Sequence, residues 1–254
     1  MMTTLFQQFK NIEQASLVVV DQIVKSAKSA VLEKGFCTIV LAGGQTPQQT
    51  YELLSKPSWA DQMDWQQSHF FWGDERWLAS THPDSNFSMA HNALFSKVHI
   101  PPRNIHQIPT GHHAPEIGAK MYEKHLRDFF HTKPLTETIR ISENTTFPSF
   151  DLVLLGMGAD GHTASLFPGS NFLEEKKKWV AAVKEGPGSP PVPRITLTLP
   201  VLNQAKNILF LISGKKKIKI LETILDGASG TAKEYPAAHV KPRENLIWIV
   251  AEEN

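Results

Sequence analysis

The sequence predicts an α/β fold in which helices cover both faces of a mainly parallel β-sheet. Short apolar runs, typical of buried strands, alternate along the chain with longer segments of helical periodicity, and this order favours parallel strands joined by helices. The chain has 254 residues, of which 41% are hydrophobic and 20% are charged, an ordinary globular composition. Because we find no internal repeat and no long flexible linker, we expect one domain over residues 1–254.

The first predicted helix covers residues 11–34, where Ile12, Val19 and Ile23 recur at helical spacing. Asn11 is its expected N-cap and Gly35 its C-terminal stop. Further helices are expected over residues 47–54, 86–97, 113–131 and 215–226. Strands are expected over residues 36–42, 68–72, 104–109, 150–155, 178–183, 194–199, 207–213 and 245–250, and loops over 132–149 and 184–193.

The composition argues against several classes of function. Lys and Arg total 26 against 25 Asp and Glu, so the basic excess typical of nucleic-acid binders is missing. The single cysteine, Cys37, lies in an apolar run and is expected to be a buried thiol without a disulfide or a cysteine-rich zinc site. The N-terminus lacks the features of a signal peptide, and no apolar run approaches the roughly 20 residues of a membrane span. We therefore expect a cytoplasmic protein without nucleic-acid or membrane partners.

A glycine-rich turn in "LAGGQTPQQTYELL" is the first candidate binding element. A predicted strand runs into Gly43 and Gly44, followed by Thr46 as the expected N-cap and Pro47 as the first helical residue. Glycines let backbone N–H groups approach an anion, and a helix N-terminus adds donors and a favourable dipole. The turn therefore fits a phosphate or carboxylate site, although the same residues would also suit a plain tight turn.

Three charged residues, Asp74, Glu75 and Arg76, follow an apolar strand in "FFWGDER". In a parallel sheet, the carboxyl ends of the strands are where ligand crevices form. The alternative is a solvated loop that carries ordinary surface charges. The neighbouring Trp72 and Trp77 are interpreted as packing residues.

The stretch "DLVLLGMGADGHTASLFPG" matches the G-x-G-x-x-G fingerprint of dinucleotide-binding folds at Gly156, Gly158 and Gly161. Such a site needs a substantial helix directly after the last glycine. Pro168 and Gly169 interrupt the chain seven residues after Gly161, which argues against a dinucleotide site.

The same stretch carries Asp160 and His162 just beyond the end of a predicted strand. A carboxylate two residues before a histidine on a tight turn can hold a neutral imidazole as a general base. The alternative is an aspartate that stabilises the turn beside a surface histidine.

Two cations later in the chain could serve an anionic ligand. Lys217 shares a predicted helix face with the apolar Leu221 and Ile224, whereas Lys215 lies on the solvent face. Lys217 therefore suits an anion near the start of the helix, or its stem covers apolar surface. Arg194 has a forked guanidinium that suits phosphate, or it is an exposed loop residue.

Together these motifs resemble those of the 6-phosphogluconolactonase family. The family order is a Gly-Gly-Ser-Thr-Pro loop, Gly-Asp-Glu-Arg, Asp-Ser-Asn, an Asp-Gly-His-Thr-Ala-Ser-Leu-Phe-Pro block, Arg-Ile-Thr and a late Gly-x-x-Lys. This chain has "GGQTP", "GDER", "DSN", "GMGADGHTASLFPG", "RIT" and "GKKK" in that order over residues 43–217. One difference is Gln45, which replaces the usual serine and whose amide could still donate to an anion.

The resemblance implies a Rossmann-like three-layer α/β sandwich of the glucosamine-6-phosphate deaminase and ribose-5-phosphate isomerase type. It implies hydrolysis of 6-phospho-D-glucono-1,5-lactone to 6-phospho-D-gluconate, the second step of the oxidative pentose phosphate pathway. It implies no metal and no organic cofactor. The expected partner is the small sugar-phosphate lactone alone, and the expected state is a monomer or a small homo-oligomer.

Within this resemblance, the candidate residues have expected roles. His162 is the expected general base and Asp160 orients it. Arg76 could stabilise the oxyanion, bind phosphate or brace its own loop. The residues expected at the substrate phosphate are Gly43, Gly44, Gln45, Thr46, Arg194 and Lys217. The expected supporting residues are Asp74, which would take part in bracing Arg76, together with Asn86 and Gly161.

Two rival functions remain. A deaminase or isomerase of the same fold would share the phosphate loop, but the deaminases resemble Asp-Glu-Tyr where this chain has "GDER". A non-catalytic sugar-phosphate sensor would need a DNA-binding module, and about ten residues before the first predicted helix are too few for a helix-turn-helix.

Overall fold

Seven parallel strands form the central sheet of the protein. The computed structural model describes residues 2–133, 137–142, 145–184, 188–226 and 233–252. The strands in these ranges are β1 (Thr3–Phe9), β2 (Cys37–Leu41), β3 (Ser68–Trp72), β4 (Asp74–Arg76), β5 (Ile105–His106), β6 (Thr138–Ser142), β7 (Thr145–Pro148), β8 (Leu152–Leu155), β9 (Val180–Val183), β10 (Arg194–Leu197), β11 (Asn207–Ser213) and β12 (Asn245–Ala251). The sheet has the order β1-β12-β11-β8-β2-β3-β5, and each neighbouring pair runs parallel.

Helices flank this sheet, as the sequence predicts. They are α1 (Ile12–Lys34), α2 (Gln48–Leu54), α3 (Pro57–Ala60), α4 (Asn86–Ala93), α5 (Pro115–His131), α6 (Leu199–Asn203) and α7 (Lys215–Asp226). The side chain of Asn11 accepts from the Gln14 N–H at 2.9 Å, and Gly35 ends α1 in the left-handed conformation, so both predicted caps are confirmed. None of these described helices is long and apolar enough to cross a membrane.

The interior strands of the sheet carry continuous apolar runs. Every residue of β2 and β8 is buried, the pattern expected when helices cover both faces of a parallel sheet. Cys37 and Trp72 lie in this core, as expected. Burial raises the pKa of the Cys37 thiol well above its ordinary value, so the thiol stays protonated and unreactive.

A second, three-stranded sheet corrects one prediction. The segments 178–183 and 194–199 do form strands, but these strands, β9 and β10, pair antiparallel with each other, and β10 pairs antiparallel with β4. Parallel neighbours need a crossover of a dozen or more residues, usually a helix. Only ten residues separate Val183 from Arg194, and this spacing suits antiparallel pairing.

Several predicted boundaries and loops differ from the structure. Strand β1 was not predicted, because this edge strand is largely exposed and shows no apolar run. The hairpin β6–β7 lies in the predicted loop 132–149, and three of the five residues of β6 are exposed. Residues 134–136 and 143–144 of that segment, and 185–187 of the other loop, lie outside the described residues.

Three local predictions are shifted or wrong. The predicted helix 86–97 ends at Ala93 and continues as a separate 3₁₀ turn, and the predicted strand 104–109 is reduced to β5. Thr46 is not the N-cap of α2: Pro47 holds that position and has no side-chain capping bond. Helix ends of this kind vary by one or two residues because several end geometries satisfy the first N–H groups.

Three histidines form a hydrogen-bonded row between the sheet and α5. His69 Nδ1 lies 3.1 Å from His106 Nε2, and His106 Nδ1 lies 2.7 Å from His125 Nε2. The His106 ring stacks on Phe71 with 4.2 Å between ring centroids. Burial lowers the pKa of His69 to about 4 and that of His106 to about 3, and the positive charge of Lys133 contributes to both shifts. Burial also lowers the pKa of His125.

These histidines are expected to make the fold less stable in mild acid. In the unfolded chain a histidine takes up a proton near pH 6.5, whereas His69 and His106 stay neutral in the folded protein down to about pH 4 and about pH 3. The unfolded state therefore binds more protons in this window, and the free energy of unfolding falls as the pH drops from about 6.5 toward 4. His106 alone accounts for up to about 2 kcal/mol at pH 5. Urea unfolding at pH 7 and pH 5 measures this loss.

The variant His106→Phe keeps the stacking surface and removes the titrating group, so its loss of stability between pH 7 and pH 5 should be smaller than that of the wild type. His112 is exposed, and His112→Gln should retain the full wild-type loss. An equal loss in His106→Phe would show that the acid sensitivity arises elsewhere.

Candidate active site

A cleft of about 630 Å³ opens at the carboxyl edge of the parallel sheet. The ends of four neighbouring strands, β11, β8, β2 and β3, meet there. Ten of the predicted site residues line the cleft: Gly43, Gly44, Gln45, Thr46, Asp74, Arg76, Asn86, His162, Arg194 and Lys217. Asp160 and Gly161 lie on the same turn as His162 without lining the cleft. The fold thus gathers residues spread over residues 43–217 of the sequence.

The turn over residues 156–167, here named the candidate catalytic turn, presents His162 to the cleft. His162 Nδ1 lies 2.5 Å from Asp160 Oδ1, which also accepts the backbone N–H of His162 at 3.1 Å. The His162 side chain is 24% exposed, so Nε2 can reach a water molecule. Partial burial alone would raise the pKa of Asp160, but the hydrogen bonds and the positive charge that His162 offers outweigh it and lower that pKa. The arrangement fits an imidazole oriented by an ionised carboxylate.

The glycines of this turn allow its close packing. A Cβ on Gly158 would lie 2.1 Å from His162 Nδ1, and Gly161 has φ +78° with the Tyr235 ring against it. The Gly158 N–H donates to the His162 carbonyl at 2.8 Å. Within the described residues 151–184, the helical content is one 3₁₀ turn, Asn171–Glu174. The G-x-G-x-x-G match therefore shapes a tight turn without the helix of a dinucleotide site.

The glycine loop after β2 packs against the first turn of α4. A Cβ on Gly43 would lie 1.9 Å from Asn86 Oδ1, and Gly44 has φ +90°. Asn86 is buried, and its Nδ2 donates to the Asp74 carbonyl at 2.8 Å. Asn86 thus ties the start of α4 to the start of β4 and packs against the glycine loop, which explains the need for glycine at position 43.

The charges of "GDER" are largely buried, so the surface-loop alternative is wrong. Glu75 is 2% exposed and accepts the backbone N–H groups of Arg76, Asn86 and Phe87, each at 2.8 Å. Ser85 Oγ donates to the same carboxylate at 3.1 Å. Burial raises the pKa of Glu75, and the three backbone bonds oppose that shift. Glu75 thus anchors the start of α4 at the cleft.

Two arginines bring positive charge to the same side of the cleft. Arg76 Nη1 donates to the Asp84 carbonyl at 2.6 Å, so Asp84 braces this side chain. Arg194 lies on β10 with its side chain 4% exposed, and the exposed-loop alternative is wrong. In both residues, Nε is buried without a hydrogen-bond partner among the described residues. Buried donors of this kind suit an anionic ligand.

Lys217 occupies the opposite side of the cleft, near the start of α7. It is half-buried and lines the cleft, whereas Lys215 and Lys219 are exposed. Leu221, one turn further along the same face, is buried. The predicted inward face of this helix is confirmed, and the cations lie on both sides of the candidate catalytic turn.

Several lining residues were missed from the sequence. Ser189 and Pro190 come from the predicted loop 184–193, and Met89 comes from α4. Neither proline nor methionine carries a signal for a ligand contact. The serine in "GHTAS", Ser165, was also passed over, although its hydroxyl donates to Asp74 Oδ2 at 2.6 Å. Its position three residues after His162 in the same motif was the only available signal.

A seven-stranded parallel sheet with a cationic cleft at its carboxyl edge places the protein in the Rossmann-like α/β class. A family model described as glucosamine-6-phosphate isomerases/6-phosphogluconolactonase matches residues 10–248. The chain belongs to this family.

Curated relatives carry lactonase names. The chain is 39% identical to a 6-phosphogluconolactonase from Synechocystis, over 94% of this chain and 90% of that protein. It is 40% identical to 6-phosphogluconolactonase 3, chloroplastic, from Arabidopsis thaliana, over 86% of this chain and 64% of that longer protein.

Solved structures agree with the fold. The 6-phosphogluconolactonase of Thermotoga maritima superposes with a TM-score of 0.80 and 32% identity, covering 99% of this chain and 100% of that one. The enzyme from Trypanosoma brucei gives a TM-score of 0.85 and 26% identity, covering 99% and 97%. A monomeric glucosamine-6-phosphate deaminase, at 22% identity and a TM-score of 0.74 over 96% of each chain, shares the fold.

Proposed function

We propose that the protein is a 6-phosphogluconolactonase, which hydrolyses 6-phospho-D-glucono-1,5-lactone to 6-phospho-D-gluconate in the oxidative pentose phosphate pathway. The single observation that carries the proposal is the His162–Asp160 pair in a cleft that also contains three cationic side chains. A lactone phosphate needs both features, because one end of it is a reactive ester and the other end is an anion. The names of the relatives support the same reaction.

His162 acts as the general base in the proposed mechanism. Its Nδ1–H donates to Asp160, which leaves Nε2 as the nitrogen that accepts a proton from the attacking water. Attack on the carbonyl carbon gives a tetrahedral oxyanion, and the imidazolium then returns the proton to the ring oxygen as the ester bond breaks. Asp160 stabilises the imidazolium between these two steps.

The cationic side chains bind the phosphate and stabilise the oxyanion in the proposed mechanism. Arg194, Lys217 and the backbone N–H groups of residues 43–46 bind the phosphate, with Gln45 in place of the family serine. Arg76 stabilises the developing oxyanion, since its guanidinium lines the cleft and the Asp84 carbonyl fixes its orientation. Water, a base and an oxyanion donor suffice for this reaction, so the proposal includes no metal and no organic cofactor.

The proposal also covers the domain organisation, the oligomeric state and the cellular compartment of the protein. We propose that residues 1–254 form one domain that acts in the cytoplasm, as a monomer or small homo-oligomer, on a small-molecule substrate without nucleic-acid or membrane partners. Two features support it: the nearly balanced charge, and one parallel sheet whose strands come from both ends of the chain. Sedimentation of the purified protein and fractionation of cells test the state and the compartment.

The activity itself is tested with freshly generated 6-phosphogluconolactone. We expect the pure, folded protein to release acid well above the spontaneous rate. A rate equal to the spontaneous one would overturn the proposed function. A lactone without the phosphate should be a much poorer substrate, because it cannot use the cations of the cleft.

Lys217→Ala is expected to raise KM for the phosphorylated lactone by about tenfold or more and to change kcat less, because a charge-assisted contact to phosphate contributes about 1.5–3 kcal/mol. Steady-state kinetics measure this. Lys215→Ala on the exposed face of the same helix is the matched control and should leave KM unchanged. An unchanged KM in Lys217→Ala would instead indicate that the lysine stem only covers apolar surface.

A further inference from the structure

Arg194 carries a buried charge at the wall of the cleft with few of its donors used. Its Nη2 donates to the Pro190 carbonyl at 3.1 Å, and its Nε has no partner among the described residues. Burial lowers the pKa of the guanidinium, and the charge of Asp74 opposes that shift. Asp74 Oδ2 nevertheless lies 3.9 Å from Nη1, which is too long for a hydrogen bond.

The distance between Asp74 and Arg194 is unusual for two buried opposite charges, which attract strongly in a region of low dielectric constant. The short bond to the carboxylate comes from elsewhere: Asp74 Oδ2 accepts from Ser165 Oγ at 2.6 Å, and Oδ1 accepts a longer bond from Asn86 Nδ2 at 3.4 Å. Ser165 is fully buried, and its backbone N–H donates to Thr196 Oγ1 at 3.2 Å. The position of the hydroxyl is therefore fixed by the candidate catalytic turn and by β10.

We propose that Ser165 is a positioning residue whose hydroxyl holds Asp74 away from Arg194 and so keeps the guanidinium able to bind the phosphate of the substrate. This inference rests on the proposed function, in which Arg194 is a phosphate ligand. Asp74 then offsets part of the buried positive charge without occupying its N–H groups. Because Ser165 follows His162 by three residues on one turn, the segment that presents the base also sets the anion site.

The test is direct binding of 6-phosphogluconate and of inorganic phosphate, measured by calorimetry. In Ser165→Ala, Asp74 Oδ2 loses its donor, and the carboxylate keeps only the long 3.4 Å bond from Asn86 Nδ2 to Oδ1. We expect Asp74 then to close onto Arg194, and the affinity for both ligands to fall about tenfold. Adding Asp74→Asn to this variant should restore most of the affinity, because the amide carries no charge with which to occupy the guanidinium. If Ser165 had only a structural role, the double variant would bind no better than Ser165→Ala, and that result would overturn the proposal.

Ser149→Ala is the matched control for stability. Ser149 is also buried, and its hydroxyl donates to the Gln204 carbonyl at 2.9 Å, at the opposite end of β8. This variant should lower the melting temperature about as much as Ser165→Ala and leave phosphate affinity unchanged. If Ser165→Ala fails to fold, Asp74→Asn alone decides: it is expected to bind phosphate at least as tightly as the wild type, and weaker binding overturns the proposal.

Arg194→Met separates this inference from the proposed function. If the wild type binds phosphate and Arg194→Met does not, the anion site at Arg194 is supported. An unchanged affinity in Ser165→Ala would then overturn the role of Ser165 alone. Phosphate binding that is as tight in Arg194→Met as in the wild type would overturn the phosphate role of Arg194 and the inference with it. Lactonase activity does not enter either result.

Discussion

Replacing His162 with alanine is expected to lower kcat for lactone hydrolysis by about 10²–10⁴-fold, the usual contribution of a positioned general base. The imidazole is the group that the structure holds in place for proton transfer: Asp160 Oδ1 fixes Nδ1 at 2.5 Å, and the side chain borders the cleft. KM should change much less, because the proposed phosphate ligands are untouched. Initial rates with fresh lactone, corrected for spontaneous hydrolysis, measure both constants.

Two further variants sharpen this expectation. Asp160→Asn should lose less than His162→Ala, because the amide oxygen can still accept from Nδ1 but no longer carries the charge that stabilises the imidazolium. His91 is an exposed histidine on α4, and His91→Ala should behave as the wild type. A near-wild-type kcat in His162→Ala would mean that another group activates the water.

The candidate site was predictable to the extent that it depends on short-range patterns. Asp160 and His162 are two residues apart on a tight turn, so their hydrogen bond is one of the two alternatives that the sequence offers, and the structure shows it. The fingerprint glycines were interpretable for the same reason, since Pro168 stops any long helix after Gly161. Parallel-sheet topology then predicts that the other candidate residues lie close to this turn, because the carboxyl ends of parallel strands lie at one edge of the sheet.

Features that depend on pairing between distant segments were not predictable. The sequence does not distinguish whether Arg194 is a phosphate ligand or an exposed residue, because its burial arises from pairing of β10 with β4, more than a hundred residues away in the sequence. Asp74 and Glu75 also read as surface residues in isolation, but Asp74 meets Ser165 and Glu75 meets the start of α4, both distant in the sequence or beyond a loop. Strand β1 was missed because register with β12, rather than an apolar pattern, holds it in the sheet.

A buried ion cluster closes the end of the sheet opposite the cleft. The side chain of Asp151, directly before β8, is 3% exposed and pairs with Lys34 Nζ at 2.9 Å. Its Oδ2 accepts from the backbone N–H and the hydroxyl of Thr38 at 2.8 Å and 2.9 Å. Lys34 also donates to the buried Glu137, and Lys206 Nζ lies 3.7 Å from Asp151. The cluster joins α1, β2 and β8 without a contact to the site.

Asp151→Ala is expected to lower the free energy of unfolding by about 3–5 kcal/mol, because the buried cluster loses one of its carboxylates, which leaves Lys34 paired with Glu137 alone and two Thr38 donors without a partner. Urea unfolding measures this change. Asp21→Ala breaks an exposed pair with Lys25 on α1 and should cost less than about 1 kcal/mol, so it is the matched control. Equal losses in the two variants would show that the cluster stabilises the protein no more than a surface pair. Since β8 leads directly into the candidate catalytic turn, a loss of the expected size would mean that the cluster secures the strand that carries His162.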